Sequence, residues 1–304
     1  MQLKSGLSVA ILVVVAVARS AVAQELEPRA YRTLPTGLNF MVVSYSYSTG
    51  NVVVEATSPI SDLDLRLSIV SAGLLRSFGI AGRSSSVTVL VPYGFISGSA
   101  VVGGATISDA RSGAADLKVR LAVNLLGGPA LSPKEFASYR QRRNVGVSLT
   151  AVPPTGQYDP SRLINFGSNR WGFKPEVGYS SIKGRWILDA AAGVWFFTDN
   201  DEFFRGTTRS QDPIGSLQAH LSYSFRNRVW IALDGNYYTG GRSTVDGVLQ
   251  ADLQRNSRWG LTLSVPLAKR HSLKLAADTG ALTSIGADFD RLTVSYQVRW
   301  PDLH

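Results

Sequence analysis

The last strand-forming stretch of the chain, residues 290–304, reads DRLTVSYQVRWPDLH. Leu292, Val294, Tyr296, Val298 and Trp300 alternate with Thr293, Ser295, Gln297 and Arg299. A period of two puts one set on each face of a β-strand. The apolar set needs an apolar medium. A sandwich core supplies one. So does a bilayer around a barrel whose lumen takes the polar set. One strand fits both readings, so the rest of the chain decides.

Twelve strands can be drawn, near residues 37–47, 62–72, 85–95, 115–126, 143–152, 172–180, 185–197, 213–225, 228–239, 257–267, 270–280 and 289–300. Several approach the length of a tilted transmembrane strand. Leu63, Leu65, Leu67 and Ile69 alternate with Asp62, Asp64, Arg66 and Ser68. Leu117 to Leu125 alternates with Lys118, Arg120 and Asn124, and Leu217 to Phe225 with Gln218, His220, Ser222 and Ser224. Asp64, Arg66, Lys118, Arg120, Asp189, Lys274 and Asp278 all fall on the polar side of their strands. A lipid-facing Arg or Lys costs roughly 2–4 kcal/mol at the midplane, so this side is expected to line a lumen. A sandwich gives no reason for so many membrane-length strands. The fold expected is all-β: a transmembrane antiparallel β-barrel of twelve strands over residues 37–300, closed by its N- and C-terminal strands, which leaves no edge in lipid.

Connection lengths agree. Residues 48–61, 96–114, 153–171, 198–212, 240–256 and 281–288 read as outer loops. Residues 181–184, 226–227 and 268–269 read as tight periplasmic turns, and 73–84 as a fourth turn whose Leu74–Ile80 can extend the strands. Residues 127–142 are long for a turn. Ser132-Pro133-Lys134-Glu135 forms a capping-box pattern and predicts a short periplasmic helix through about Arg142. Ten aromatics, Trp171, Trp186, Trp195, Trp230, Trp259, Trp300, Tyr93, Tyr223, Tyr237 and Tyr238, lie in or beside strands, as interfacial girdles require.

Lys4, the apolar run Leu7–Ala18 and Ala21-Val22-Ala23 have the order of an export signal cleaved after residue 23. Losing Lys4 and Arg19 lowers the formal charge from +9 to +7. Residues 24–36 then form a short periplasmic N-terminal segment, and 301–304 a C-terminal extension. There is no cysteine, so no disulfide staples the fold. Only 17% of residues are charged, few for a wetted surface. The positive charges are dispersed, which argues against nucleic acid as a partner.

Longer segments carry a resemblance. PPTGQYDP (153–160), RLINFGSNRWGFKPEVGYS (162–180), RWILDAAAGVWFFTDNDEFF (185–204), QDPIGSLQAHLSYSF (211–225), YYTGGRSTVDG (237–247) and LKLAADTGALTSIGADF (273–289) resemble the "MetA-pathway of phenol degradation" family. The resemblance runs from about Leu34 to Trp300. It implies an outer-membrane transporter found with aromatic-degradation genes. The apolar final strand ending in Trp300 resembles the signal read by the barrel assembly machinery, although Pro301–His304 follow it.

The residues expected along the lumen are Asp64, Arg66, Lys118, Arg120, Lys174, Glu176, Asp189, His220, Asp234, Asn236, Lys274, Asp278 and Arg299. Arg66, Lys118, Arg120, Lys274 and Arg299 would favour aromatic acids by charge. Neutral phenols would call for an apolar pocket and a lateral exit into lipid. Asn165, Asn169 and Arg170, with Asn200, Asp201, Arg205, Gln211 and Asp212, form polar groups that hold loops inward or select a solute. His220, Ser222 and Asp234 offer hydrolase side chains, but residues two apart on a strand are roughly 6.5–7 Å apart and no nucleophile elbow is present. No metal-ligand spacing occurs around His220, His271, His304 or Asp199, Asp201 and Asp212. The function expected is passive passage of small aromatic or hydrophobic compounds, without enzyme activity or cofactor, with outer-membrane lipid and the barrel assembly machinery as partners. A structural or adhesive barrel is the alternative, and a membrane hydrolase the minor one.

Overall fold

The computed structural model describes residues 26–53, 60–102, 105–162 and 165–302. The export signal expected over residues 1–23 lies outside them.

Twelve staves close into one antiparallel barrel. They are β1 (Leu38–Val53), β2 (Ile60–Ile80), β3 (Arg83–Val102), β4 (Ala105–Ala114) with β5 (Lys118–Leu126) as one interrupted stave, β6 (Arg143–Val152), β7 (Gly172–Lys183), β8 (Trp186–Phe197), β11 (Ile214–Ser224), β12 (Trp230–Gly240), β15 (Gln254–Pro266), β16 (His271–Leu282) and β17 (Gly286–Pro301). Closure is the pairing of β1 with β17, from Leu38↔Pro301 to Val53↔Gly286. Every stave pairs with its chain neighbour, so apart from the far edge of β4 the backbone of the wall is satisfied by strand pairing, as lipid demands.

The exposed apolar side chains mark the lipid face. Met41, Val43, Tyr45 and Tyr47 of β1 stand beside Leu292, Val294 and Tyr296 of β17, and Leu217, Leu221, Leu233 and Leu261 continue the belt. The opening stretch therefore meets lipid through its apolar set. Among the described residues no helix is long and apolar enough to cross a membrane. A hollow of about 430 Å³ bordered by Tyr47, Thr49, Trp259, Leu261, Asp290 and Leu292 lies on this outward face.

β2 and β3 are longer than their alternation suggested. They extend to a two-residue turn at Ala81 (φ 47°) and Gly82 (φ 74°), the left-handed pair that a tight hairpin needs. At the other end they run into the expected outer loops, β2 from Ile60 and β3 to Val102, and much of 96–114 is strand. The helix α1 covers only Pro133–Phe136. Its capping box is present: Ser132 Oγ accepts from Glu135 N, and the Glu135 carboxylate accepts from Ser132 N at 2.8 Å. Ser132 Oγ also donates to the Glu135 carboxylate at 2.7 Å, and this bond, with the one from Ser132 N, holds the Glu135 carboxyl below its usual range.

The two long outer connections are not simple loops. They contribute β9 (Asn200–Phe203), β10 (Thr207–Gln211), β13 (Ser243–Val245) and β14 (Val248–Leu249), which pair in the order β14-β13-β10-β9 as a separate small sheet.

One part of the wall is left open to loops. β5 pairs with both β3 and β6, but β4 pairs only with β3 among the described residues. β6 stops at Val152 because Pro153 and Pro154 cannot continue the ladder. The segment that follows packs against the break instead. Gln157 N donates to Ala114 O at 2.8 Å, and the Asp116 carboxylate accepts from Gly156 N and Ser168 N.

Candidate functional site

The lumen is filled from the periplasmic end by the chain's own N-terminus. Residues 26–36, expected in the periplasm, enter the barrel because their polar groups find partners there. Tyr31 is 4% exposed; its Oη lies 3.0 Å from Ser148 Oγ and donates to Glu176 Oε1 at 2.8 Å. Arg29 N donates to Asp189 Oδ2 at 3.2 Å, and its guanidinium reaches Ser224 Oγ and lies over Trp230. Glu27 pairs with Lys274 at 2.9 Å. Leu34 N and O both bond Ser84 Oγ. Gly146 and Gly178 make room: a Cβ on Gly178 would come within 2.1 Å of the Tyr31 ring.

Around and above this plug the wall carries a charge network. Lys174 Nζ meets Glu176 Oε2 at 2.6 Å, and Arg120 approaches Glu176 Oε1 at 3.5 Å while donating to Ser148 Oγ. His220 Nδ1 lies 2.7 Å from Asp234 Oδ1, whose other oxygen accepts from Thr262 Oγ1. Asp278 receives Arg258 and Arg291. Each buried charge thereby gains the partner that a low-dielectric interior requires.

Most of the sequence-expected lumen residues occupy this space. Lys174, Glu176, Asp189, His220, Asp234, Asn236 and Asp278 are buried on the inward face. Lys118, Arg120 and Lys274 share its strand parity. So does Arg299, exposed at the periplasmic mouth, where it donates to Lys269 O. Asp64 and Arg66 do not line the lumen. Arg66 pairs with Thr49 and Asp64 with Asn51, in the outward row of Tyr45 and Tyr47, and both are exposed. Leu65, 3% exposed, points inward instead. The outward face turns polar at this level, where Thr279 donates to Asp290, so these charges stand at the outer rim of the lipid belt.

The aromatic expectation is corrected in part. Trp171, Trp186, Trp259, Tyr93, Tyr223 and Tyr237 do face outward, but Tyr93 and Trp259 stand in the middle of β3 and β15 and not at their ends. Trp195 and Tyr238 are 0% and 1% exposed and pack with Val152, Ile214 and Phe197 in the outer half of the lumen. The sequence reading also missed a series of cation–aromatic pairs. Arg29 lies over Trp230, Arg120 over Tyr31, Lys174 over Trp195, Arg170 over Phe197 and Arg209 over Phe203, at 4.1–5.7 Å from the ring centroids. Strand parity gives the signal for Trp195, which shares the face of Asp189.

The family model described as "Putative MetA-pathway of phenol degradation" matches residues 43–282. The chain belongs to this family. A search of curated proteins returns no match. Among solved structures, the COG4313 outer membrane channel from Pseudomonas putida F1 is similar, with a TM-score of 0.77 and 22% identity over 91% of this chain and 100% of that one. The transport unit of the autotransporter AIDA-I from Escherichia coli has a TM-score of 0.53 and 8% identity over 95% and 96%. Both likenesses concern the fold. The family member described here is a transmembrane β-barrel of the outer-membrane type, closed by its first and last strands. Among the described residues no group of three His, Cys, Asp or Glu side chains could hold a metal ion.

Proposed function

We propose that this barrel is an outer-membrane channel that admits small aromatic compounds passively, with its N-terminal segment as the part that yields. The supporting observation is the nature of the plug. Residues 27–34 occupy the lumen through hydrogen bonds, an ion pair and ring contacts, and their covalent tie to the wall is the chain that leads into β1, with no disulfide. Such contacts break and re-form without chemistry. The cation–aromatic pairs above the plug suit flat rings, and family membership supports the aromatic class. The lumen candidates form the path in this reading, without Asp64 and Arg66.

Chemistry on the solute is not part of it. Asp234 holds His220 Nδ1 as a triad carboxylate would, but Ser222 Oγ is buried with no hydrogen-bond partner, so the hydroxyl–imidazole contact of a nucleophilic site is not made. A second reading, sideways release into lipid, rests on β4, whose far edge meets a loop instead of a strand.

The test is solute flux through refolded mature protein in sealed liposomes, comparing benzoate, phenol and a sugar of similar size. Aromatic flux above protein-free vesicles and above the sugar is expected. A folded barrel passing none of the three sinks the channel reading.

A further inference from the structure

We propose that Arg170 and Arg209 form a binding site for the carboxylate of an aromatic acid at the extracellular end of the lumen. This rests on the channel reading for its biological sense, but not on any transport step.

Arg170 lies two residues before β7 and is 5% exposed; Arg209 lies on β10 and is 3% exposed. Arg170 Nη2 donates to Gln211 Oε1, while its Nη1 is buried with no hydrogen-bond partner. Arg209 Nη1 is likewise buried and unpartnered. The carboxylate facing Arg209, Asp252, stays 3.7 Å away, too long for a hydrogen bond, and is already bound by Ser243 N and Oγ. Asp199 and Asp116 reach Arg170 through their field alone, and the Asp116 oxygens are taken by Gly156 N and Ser168 N.

The two cations also disfavour one another. Burial first, then the charge of Arg209, lowers Arg170 to about 9; burial lowers Arg209 to about 10 despite Asp252. Elsewhere in the lumen, Lys174, Arg258 and Arg291 each meet a carboxylate at 2.6–2.8 Å. The outer pair lacks that close carboxylate. What it lacks is a planar anion with two acceptors, the shape a guanidinium fork matches. Phe197 and Phe203 already lie against these guanidiniums and give the site apolar, flat walls. The wanted ligand therefore joins a carboxylate to a ring.

The experiment titrates the refolded full mature protein in detergent with benzoate and with benzamide, its uncharged isostere, following tryptophan fluorescence. Benzoate is expected to bind more tightly by about tenfold or more, the scale of one charge-assisted hydrogen bond. Arg170→Gln and Arg209→Gln should each remove that preference, and the exposed Arg140→Gln should keep it. Equal binding of the two ligands to the unmodified protein overturns the proposal without needing any variant to fold. So does a benzoate preference that survives in the folded double variant. Preferential binding without liposome flux keeps the site and defeats the channel reading; flux without preference defeats the site alone.

Discussion

Tyr31 and Glu176, 145 positions apart in the chain, meet inside the barrel, where the phenol Oη donates to the carboxylate at 2.8 Å. The bond joins the segment that fills the lumen to the wall that it fills. Glu176 also receives Lys174 and faces Arg120, so one carboxylate couples the plug to the lumen charges.

Deleting residues 26–36 should therefore enlarge the conductance while leaving the barrel closed, because the β1–β17 seam begins at Leu38. Single-channel recording in planar bilayers checks this. Conductance equal to that of the intact protein would mean that the lumen is blocked by its wall.

Glu176→Gln should destabilise the barrel by about 3–5 kcal/mol, because Lys174, 1% exposed, would lose its 2.6 Å contact with the Glu176 carboxylate inside the wall. Replacing both, with Lys174→Met, should recover most of that loss. Urea unfolding in lipid vesicles gives the double-mutant cycle. A double variant as unstable as Glu176→Gln alone would show that the pair is not the source.

The sequence makes closure and strand number legible because lipid imposes a strict alternation on most of the wall. It misleads at β2 for a physical reason. Leu65, Leu67 and Ile69 are apolar, but so are Val70, Ala72 and Leu74 on the other parity. The even set pairs with Tyr45, Val43 and Met41 and takes the lipid. The odd set turns inward, and Asp64 and Arg66 are carried outward above the belt. Tyr31 was illegible for another reason: a plug has no period, and its partners lie more than a hundred residues away. The outer sheet was missed because strands of two to five residues are too short to show alternation.

The corrected faces give a directional test. Leu261→Arg, in the lipid belt, should cost roughly 2–4 kcal/mol of folding into a bilayer. Thr49→Arg should cost far less, since its outward row already holds Arg66 and Asp290. Equal costs, measured by urea titration in vesicles, would place the rim at the wrong height.

Gly94 and Gly113 are register partners on the inward face, and the Phe166 ring lies on them. A Cβ on Gly94 would come within 2.1 Å of that ring, and one on Gly113 within 3.0 Å. Neither strand can retreat, since both are held in the wall, so the ring must leave. Phe166 belongs to the segment that covers the unpaired edge of β4, and Gly167 N ties it back to Gln157 O at 2.8 Å. Gly94→Ala should thus cost about 1–3 kcal/mol by overpacking and loosen the covering segment. Added protease should nick the variant within residues 153–168 faster than the native protein, with the barrel remaining folded. Phe166→Ala should nick equally fast, and combining it with Gly94→Ala should add little, because both act by removing the same ring from the same seat. If Gly94→Ala resists cleavage as the native protein does, the ring is not what holds the segment down.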